Sequence, residues 1–115
     1  THSLCDAILG ALALGDIGKH FPDTSQKYKD IYSITPLERV IDTMRSKGYT
    51  IGNCDLTLIC QAPKLAPYIE EMRSTLAKAC RTENINIKAT TTEKMGYTGR
   101  EEGISCHSIV SLIRL

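Results

Sequence analysis

At 115 residues and 12.7 kDa, the chain has the size of one compact domain. Hydrophobic residues make up 42% and charged residues 23%, a globular composition that excludes a disordered chain. A formal net charge of +1 with scattered basic residues lacks the concentrated basic face of a nucleic-acid binder, and no apolar run approaches membrane-spanning length.

The opening segment, residues 1–14, predicts a helix, with Leu4, Ile8, Ala11 and Leu12 on one apolar face and Gly15 as its stop. His2 and Asp6 stand four apart and share a side of that helix. The chain thus opens at Thr1 already inside a helical pattern, which predicts a domain whose preceding element is missing. A Gly-, Asp- and Pro-rich loop follows, from Gly15 to Ser25. The next helix is predicted from Thr35, where Thr35 caps, Pro36 takes the first helical position and Glu38 completes a capping box. Leu37, Val40, Ile41 and Met44 form its buried stripe, and Lys47-Gly48 ends it.

From Thr50 to Gln61 the pattern becomes a strand, with Cys54, Leu56, Leu58 and Cys60 alternating with Asp55, Thr57, Ile59 and Gln61. A helix entered through Pro67 follows, with Ile69, Met72, Leu76 and Cys80 along one face. A second strand is predicted over Asn84–Thr92 with Ile85, Ile87 and Ala89 together. The last runs from Gly103 to Leu115. It places Ile104, Cys106, Val110 and Leu112 on one face and Ser105, His107, Ile109, Ser111 and Ile113 on the other. The architecture this implies is α+β: a small mixed sheet with helices on one face, the other face left for oligomer contacts. The five cysteines, Cys5, Cys54, Cys60, Cys80 and Cys106, are odd in number and form no C-x-x-C. They read as reduced thiols used as small hydrophobes, which implies a reducing compartment.

Several segments carry groups suited to chemistry. Asp16-Ile17-Gly18 and Phe21-Pro22-Asp23-Thr24 combine carboxylates with glycine, which serves a ligand loop or a plain turn equally. Thr90, Thr91 and Thr92 end a strand, where hydroxyls and N–H groups can converge on phosphate oxygens. Glu93 adds a hard oxygen donor for Mg²⁺ or Mn²⁺. Against this stands a β-prone threonine run leading into a Gly-rich turn. Lys64 reads as a phosphate or base contact, or as a solvated lysine opening a helix. His2 offers an imidazole for zinc and Asp6 an orienting carboxylate, but zinc needs at least three protein ligands, and His20 and His107 have no spacing that completes the set.

Three stretches occur here in order: DAILGALALGDIGKHFPDT, KGYTIGNCDLTLICQAPKLAPYIEEMR and INIKATTTEKMGYTGREEGI. In these the chain resembles the 2-C-methyl-D-erythritol 2,4-cyclodiphosphate synthase family. The resemblance implies cyclisation of a cytidine diphosphate substrate with release of CMP, in the non-mevalonate isoprenoid pathway. By position, His2 matches a zinc ligand; Asp16, Ile17 and Gly18 match a ribose-contacting loop; and Phe21, Pro22, Asp23, Thr24 and Ser25 match a further substrate segment. Cys60, Gln61, Ala62, Pro63, Lys64, Leu65 and Ala66 correspond to the wall around the cytosine. Thr90, Thr91 and Thr92 match phosphate-binding positions, with Thr91 a transition-state stabiliser, and Glu93 matches the ligand of Mg²⁺ or Mn²⁺. Tyr97 and Arg100 fall where members contact substrate or line a central cavity that holds an isoprenoid diphosphate.

The family is homotrimeric, with sites between subunits, and works in bacterial cytoplasm or in plastid-type organelles (stroma or apicoplast). Its members open with a strand bearing an Asp-x-His pair, the remaining zinc ligands, which this chain lacks. The expectation is therefore one domain over 1–115 lacking its N-terminal strand region, and a zinc ion held by His2 plus two ligands from outside the chain. A nucleotide-sensing module without metals and a purely structural trimerising subunit are the rival classes. Cytidine preference and dependence on divalent ions separate them.

Overall fold

The alternation read from Cys54 onward produces the central strand. In the computed structural model, which describes residues 1–21 and 34–115, strand β1 spans Tyr49–Ile59, β2 spans Ile85–Thr90 and β3 spans Ser105–Arg114. They form one sheet in the order β2-β1-β3, with β1 parallel to β2 and antiparallel to β3. The parallel pair needs a crossover, and helix α4 (Ile69–Cys80) supplies it, entered through a 3₁₀ turn, Ala66–Tyr68, that contains Pro67. Helices α1 (His2–Ala11) and α3 (Ile34–Ser46) pack beside it on the same face; α2 (Ile17–His20) and α5 (Gly96–Gly99) are single turns in loops. The mixed sheet with helices on one face is the predicted architecture.

The core lies between that helical layer and the sheet. Leu4, Cys5, Ile8, Leu37, Ile41, Met44 and Cys54 have no exposed surface, and Leu56, Ile85 and Ile87 are buried opposite them. Helix α4 presents Leu76 and Cys80 inward, while Ile69 and Met72 are half-buried. All five cysteines are free thiols, and all but Cys106 are buried. Burial pushes the thiols of Cys5 and Cys80 up to about 12 and that of Cys54 up to about 11, which makes them inert hydrophobes at neutral pH. The other sheet face is open: Ile109 is 74% exposed and Ile113 56%. There Asp55 accepts hydrogen bonds from Lys88 Nζ at 2.8 Å and Asn86 Nδ2 at 3.0 Å. Those partners, Lys88 first, hold the Asp55 carboxyl below its ordinary range.

Element ends depart from the sequence reading for identifiable reasons. Helix α1 stops at Ala11 rather than running to Leu14. Ala13 adopts φ 57°, its N–H reaches Gly10 O, and Leu14 N–H reaches Leu9 O. That is a Schellman closure built on alanine, two residues before the glycine expected to end the helix. Helix α3 begins at Ile34, so Thr35 lies inside the first turn and is not the N-cap, and the predicted capping box does not form around it. Strand β1 ends at Ile59, releasing Cys60 and Gln61 into the following loop, and β2 covers Ile85–Thr90 rather than Asn84–Thr92. A β-bulge at Gly52 shifts the β1–β3 register between Ile51 and Asn53, so Ile51 and Cys54, three residues apart, both face the core.

Candidate functional site

The carboxyl ends of β1 and β2 leave the sheet side by side, the position where ligands bind in parallel sheets. After β1 comes the segment Cys60–Ala66; after β2 comes Thr91–Arg100. Cys60 N–H donates to Thr90 O at 3.0 Å, holding the two exits together. Between them lies a cleft of about 190 Å³ lined by Cys60, Gln61, Pro63, Lys64, Leu65, Ala66, Ala89, Thr90 and Thr91. That is below the roughly 300–1,000 Å³ of a whole small-molecule site and suits a single ring rather than a complete ligand. The structure thus brings two separately predicted segments, the base wall and the phosphate threonines, into one cleft. It adds Ala89, which alternation alone placed only on the face of β2. Ala62 is in the segment but not in the lining.

A larger cavity, about 340 Å³, sits on the helix-covered side against Leu56, Leu58, Ile87, Met72, Leu76 and Cys106. Its wall is mainly apolar, with Thr1, Glu71 and Thr75 adding polar groups, and it includes neither of the loops that follow β1 and β2. The smaller cleft is the better candidate site.

The turn after β2 is held in an unusual backbone state. Glu93 (φ 55°) and Lys94 (φ 66°) are successive non-glycine residues in the left-handed region, followed by Gly96 at φ 69°. Each such residue costs about 1–3 kcal/mol, so the surroundings must over-determine the turn. Thr91 Oγ1 accepts Glu93 N–H at 3.2 Å. Thr92 Oγ1 donates to Met95 O and pairs with the buried Thr98 hydroxyl at 3.0 Å. Gly99 packs against the Lys94 backbone so closely that an added Cβ would lie 2.1 Å from the Lys94 carbonyl carbon. Finally, Gln61 Oε1 accepts Lys94 N–H at 2.9 Å. With its lone pair occupied by Glu93 N–H, the Thr91 hydroxyl still has its hydrogen to donate to an acceptor in the cleft.

Tyr97 and Arg100 are exposed outside this cleft, and Arg100 grips Glu102 through Nε at 2.7 Å and Nη2 at 3.2 Å. The Asp16-Ile17-Gly18 loop is shaped by two carboxylates. Asp16 Oδ1 accepts Lys19 N–H at 3.0 Å as the N-cap of α2, and Asp6 Oδ1 accepts Ile17 N–H at 2.7 Å. Asp6, four residues after His2, thus uses a carboxylate oxygen to position the Asp16–Gly18 loop. That role could have been suspected from its place one turn inside α1, facing the loop that follows. Phe21 is half-buried, while Pro22, Asp23, Thr24 and Ser25 lie outside the described residues.

His2 is exposed at the start of α1, and among the described residues no three His, Cys, Asp or Glu side chains converge as a metal site. One imidazole does not make a zinc site, so the chain's described donor set does not fit that ion without ligands from elsewhere. Glu93 is different. Its exposed carboxylate follows the three threonines in sequence but is not part of the cleft lining; a single carboxylate of this kind fits Mg²⁺ or Mn²⁺, which take one or two carboxylates and complete their shell with water and substrate phosphate. No helix among the described residues is long and apolar enough to cross a membrane.

These features define an α+β domain with a ligand cleft at the carboxyl ends of a parallel strand pair. The chain belongs to the YgbB family, whose model matches residues 1–113. It is 61% identical over 113 residues to a bifunctional enzyme IspD/IspF of Desulfotalea psychrophila, covering 96% of this chain but 29% of that relative. A 2-C-methyl-D-erythritol 2,4-cyclodiphosphate synthase of Desulfitobacterium hafniense is 56% identical over 117 residues, which cover 100% of this chain and 74% of that one. Among solved structures, bifunctional IspDF from Campylobacter jejuni superposes with a TM-score of 0.95 at 43% identity, covering 99% of this chain and 31% of that one. A CDP complex of IspF from Plasmodium falciparum superposes at 0.86 with 31% identity, covering 98% and 69%.

Proposed function

We propose that this chain carries out the cyclisation named for its relatives. It converts 4-diphosphocytidyl-2-C-methyl-D-erythritol 2-phosphate to 2-C-methyl-D-erythritol 2,4-cyclodiphosphate and CMP, a phosphorus–oxygen lyase step of the non-mevalonate isoprenoid pathway. The observation that carries this reading is the single cleft in which Cys60–Ala66 and Thr90–Thr91 face each other. A relative solved with CDP gives the ligand class that such a cleft suits.

In the reaction an oxygen of the 2-phosphate attacks the β-phosphorus. The bond from that phosphorus to the bridging oxygen breaks, and CMP departs with the electron pair. Attacker and leaving group are both anionic, so the protein's work is alignment and charge compensation. The segment Cys60–Ala66 holds the cytosine, with Lys64 offering its ammonium to a phosphate or base carbonyl. Asp16, Ile17 and Gly18 take the ribose, with Phe21–Ser25 extending that contact. Thr90, Thr91 and Thr92 address the phosphates, and Thr91 donates its hydroxyl hydrogen to the charge developing at the β-phosphate. Glu93 would hold Mg²⁺ or Mn²⁺, which when bound neutralises phosphate charge. His2 is one zinc ligand in this reading, and its partners come from outside this chain.

The same reading makes the exposed apolar sheet face the inner wall of a homotrimer with sites between subunits. Tyr97 and Arg100 then lie near a central cavity for an isoprenoid diphosphate, and the compartment is bacterial cytoplasm or a plastid-type organelle. The test is ³¹P NMR of the full-length protein with the diphosphocytidyl substrate, zinc and magnesium. Appearance of CMP together with a cyclic diphosphate is expected, and an unchanged spectrum overturns the assignment. Glu93→Gln should lose turnover most severely at limiting magnesium; full turnover there would remove Glu93 from the metal site.

A further inference from the structure

Gln61 follows β1 directly and belongs to the base wall, yet its side-chain oxygen faces across the cleft. Gln61 Oε1 accepts the backbone N–H of Lys94 at 2.9 Å. The peptide it holds is the one after Glu93, inside the left-handed pair Glu93–Lys94. Gly99 closes the other side of Lys94, with no space for even a methyl group between them. Lys94 is therefore clamped between a side-chain acceptor on its N–H and a glycine under its carbonyl. The direction in which the adjoining Glu93 carboxylate projects depends on that clamp.

From this geometry, and resting on the site reading above, we propose that Gln61 is a positioning residue that couples base occupancy of the cleft to the metal-holding geometry of Glu93. The Gln61 backbone is anchored beside the base wall through Cys60, whose N–H is bonded to Thr90 O and whose thiol donates to Ala62 O at 3.0 Å. A pyrimidine ring seated against Pro63, Leu65 and Ala66 braces this segment in the arrangement it already has. The braced amide holds Lys94 more firmly, and the carboxylate of Glu93 is aimed before the phosphates arrive. Because such coupling is reciprocal, a divalent ion on Glu93 must tighten pyrimidine binding by the factor by which the pyrimidine tightens the ion.

The experiment is a double titration of the full-length protein with Mn²⁺, followed by electron paramagnetic resonance, and with cytidine. Cytidine is chosen because it has no phosphate to bridge to the metal. In the wild type, cytidine should tighten Mn²⁺ binding by roughly 5-fold or more, the lower end of ordinary allosteric coupling. In Gln61→Leu the factor should fall to about one, with the fold intact by circular dichroism. Gln61→Glu, which keeps an acceptor oxygen for Lys94 N–H, should restore it. In turnover, Gln61→Leu should lower kcat about 10–100-fold, as expected for misplaced catalytic groups, with a much smaller change in KM. Coupling that survives in Gln61→Leu, or wild-type binding of both probes without coupling, overturns the linkage alone. Failure of the wild type to bind cytidine, or to bind Mn²⁺ with cytidine present, overturns the site reading beneath it.

Discussion

Along its length the parallel pair β1–β2 passes through two different environments. At its middle, Cys54 and Leu56 of β1 and Ile85 and Ile87 of β2 are sealed beneath α1, α3 and α4. At its carboxyl end the same strands release Cys60–Ala66 and Thr91–Arg100, where the residues are mostly exposed and the backbone carries the information. The middle is stabilised by side-chain burial, which tolerates no missing volume. The end is stabilised by a few hydrogen bonds and one close glycine contact, around a turn whose backbone is intrinsically unfavourable. Stability belongs to the first region and ligand geometry to the second, so mutations in the two should separate cleanly.

The largest effect should come from the middle. Ile41→Ala, at a site with no exposed surface, should cost about 2–5 kcal/mol of unfolding free energy, read from the denaturant midpoint. Nucleotide binding by the fraction still folded should be unchanged. Gly99→Ala inverts that pattern. The new methyl group must displace the Lys94 carbonyl, costing about 1–3 kcal/mol, while turnover falls at least about tenfold because the Glu93 turn is re-aimed. If Gly99→Ala destabilises as much as Ile41→Ala and spares turnover, the division between the two regions is wrong.

A pH titration sharpens the same contrast from inside the core. The thiols of Cys5, Cys54 and Cys80 are raised by burial from an ordinary value of 9.0 to about 12, 11 and 12 in the folded chain. A raised folded value means that the folded state holds these protons more tightly. Their stabilisation is complete below pH 9 and is lost as the pH rises toward 11–12. Denaturant midpoints should therefore fall through that alkaline window, and thiol labelling at neutral pH should reach the half-buried Cys106 well before these three.

The smallest effect is expected on the open face. There the carboxyl of Asp55 is lowered by Lys88 and then Asn86, so its contribution is present above the unfolded carboxylate range and is lost as pH falls through the folded value. Lys88→Met should lower stability slightly at neutral pH and leave the profile nearly untouched once the pH has fallen below the folded carboxyl value, the loss being small because the pair is partly exposed.

The period-two run from Cys54 to Leu58, the stripe Leu37-Val40-Ile41-Met44, and the threonine run at the end of β2 were all legible along the chain. Burial of one face and strand termination are local consequences of residue type and spacing. The resemblance carried by GDIGKHFPDT and KATTTEK…GYTGR, likewise read along the chain, pointed to the family that the comparisons then showed. Other features required the folded molecule. Ile51 faces the core only because the bulge at Gly52 reverses the alternation. Ala13 and Arg81 take left-handed conformations at helix ends where sequence rules look for glycine, since the closing hydrogen bonds to Leu9 and Ala77 outweigh the local strain. Most of all, Gln61 and Lys94 are 33 residues apart, and nothing in either segment names the other. Local pattern reports the free energy of burying a face. A contact between two loops exists only once the strands that carry them lie parallel and end together.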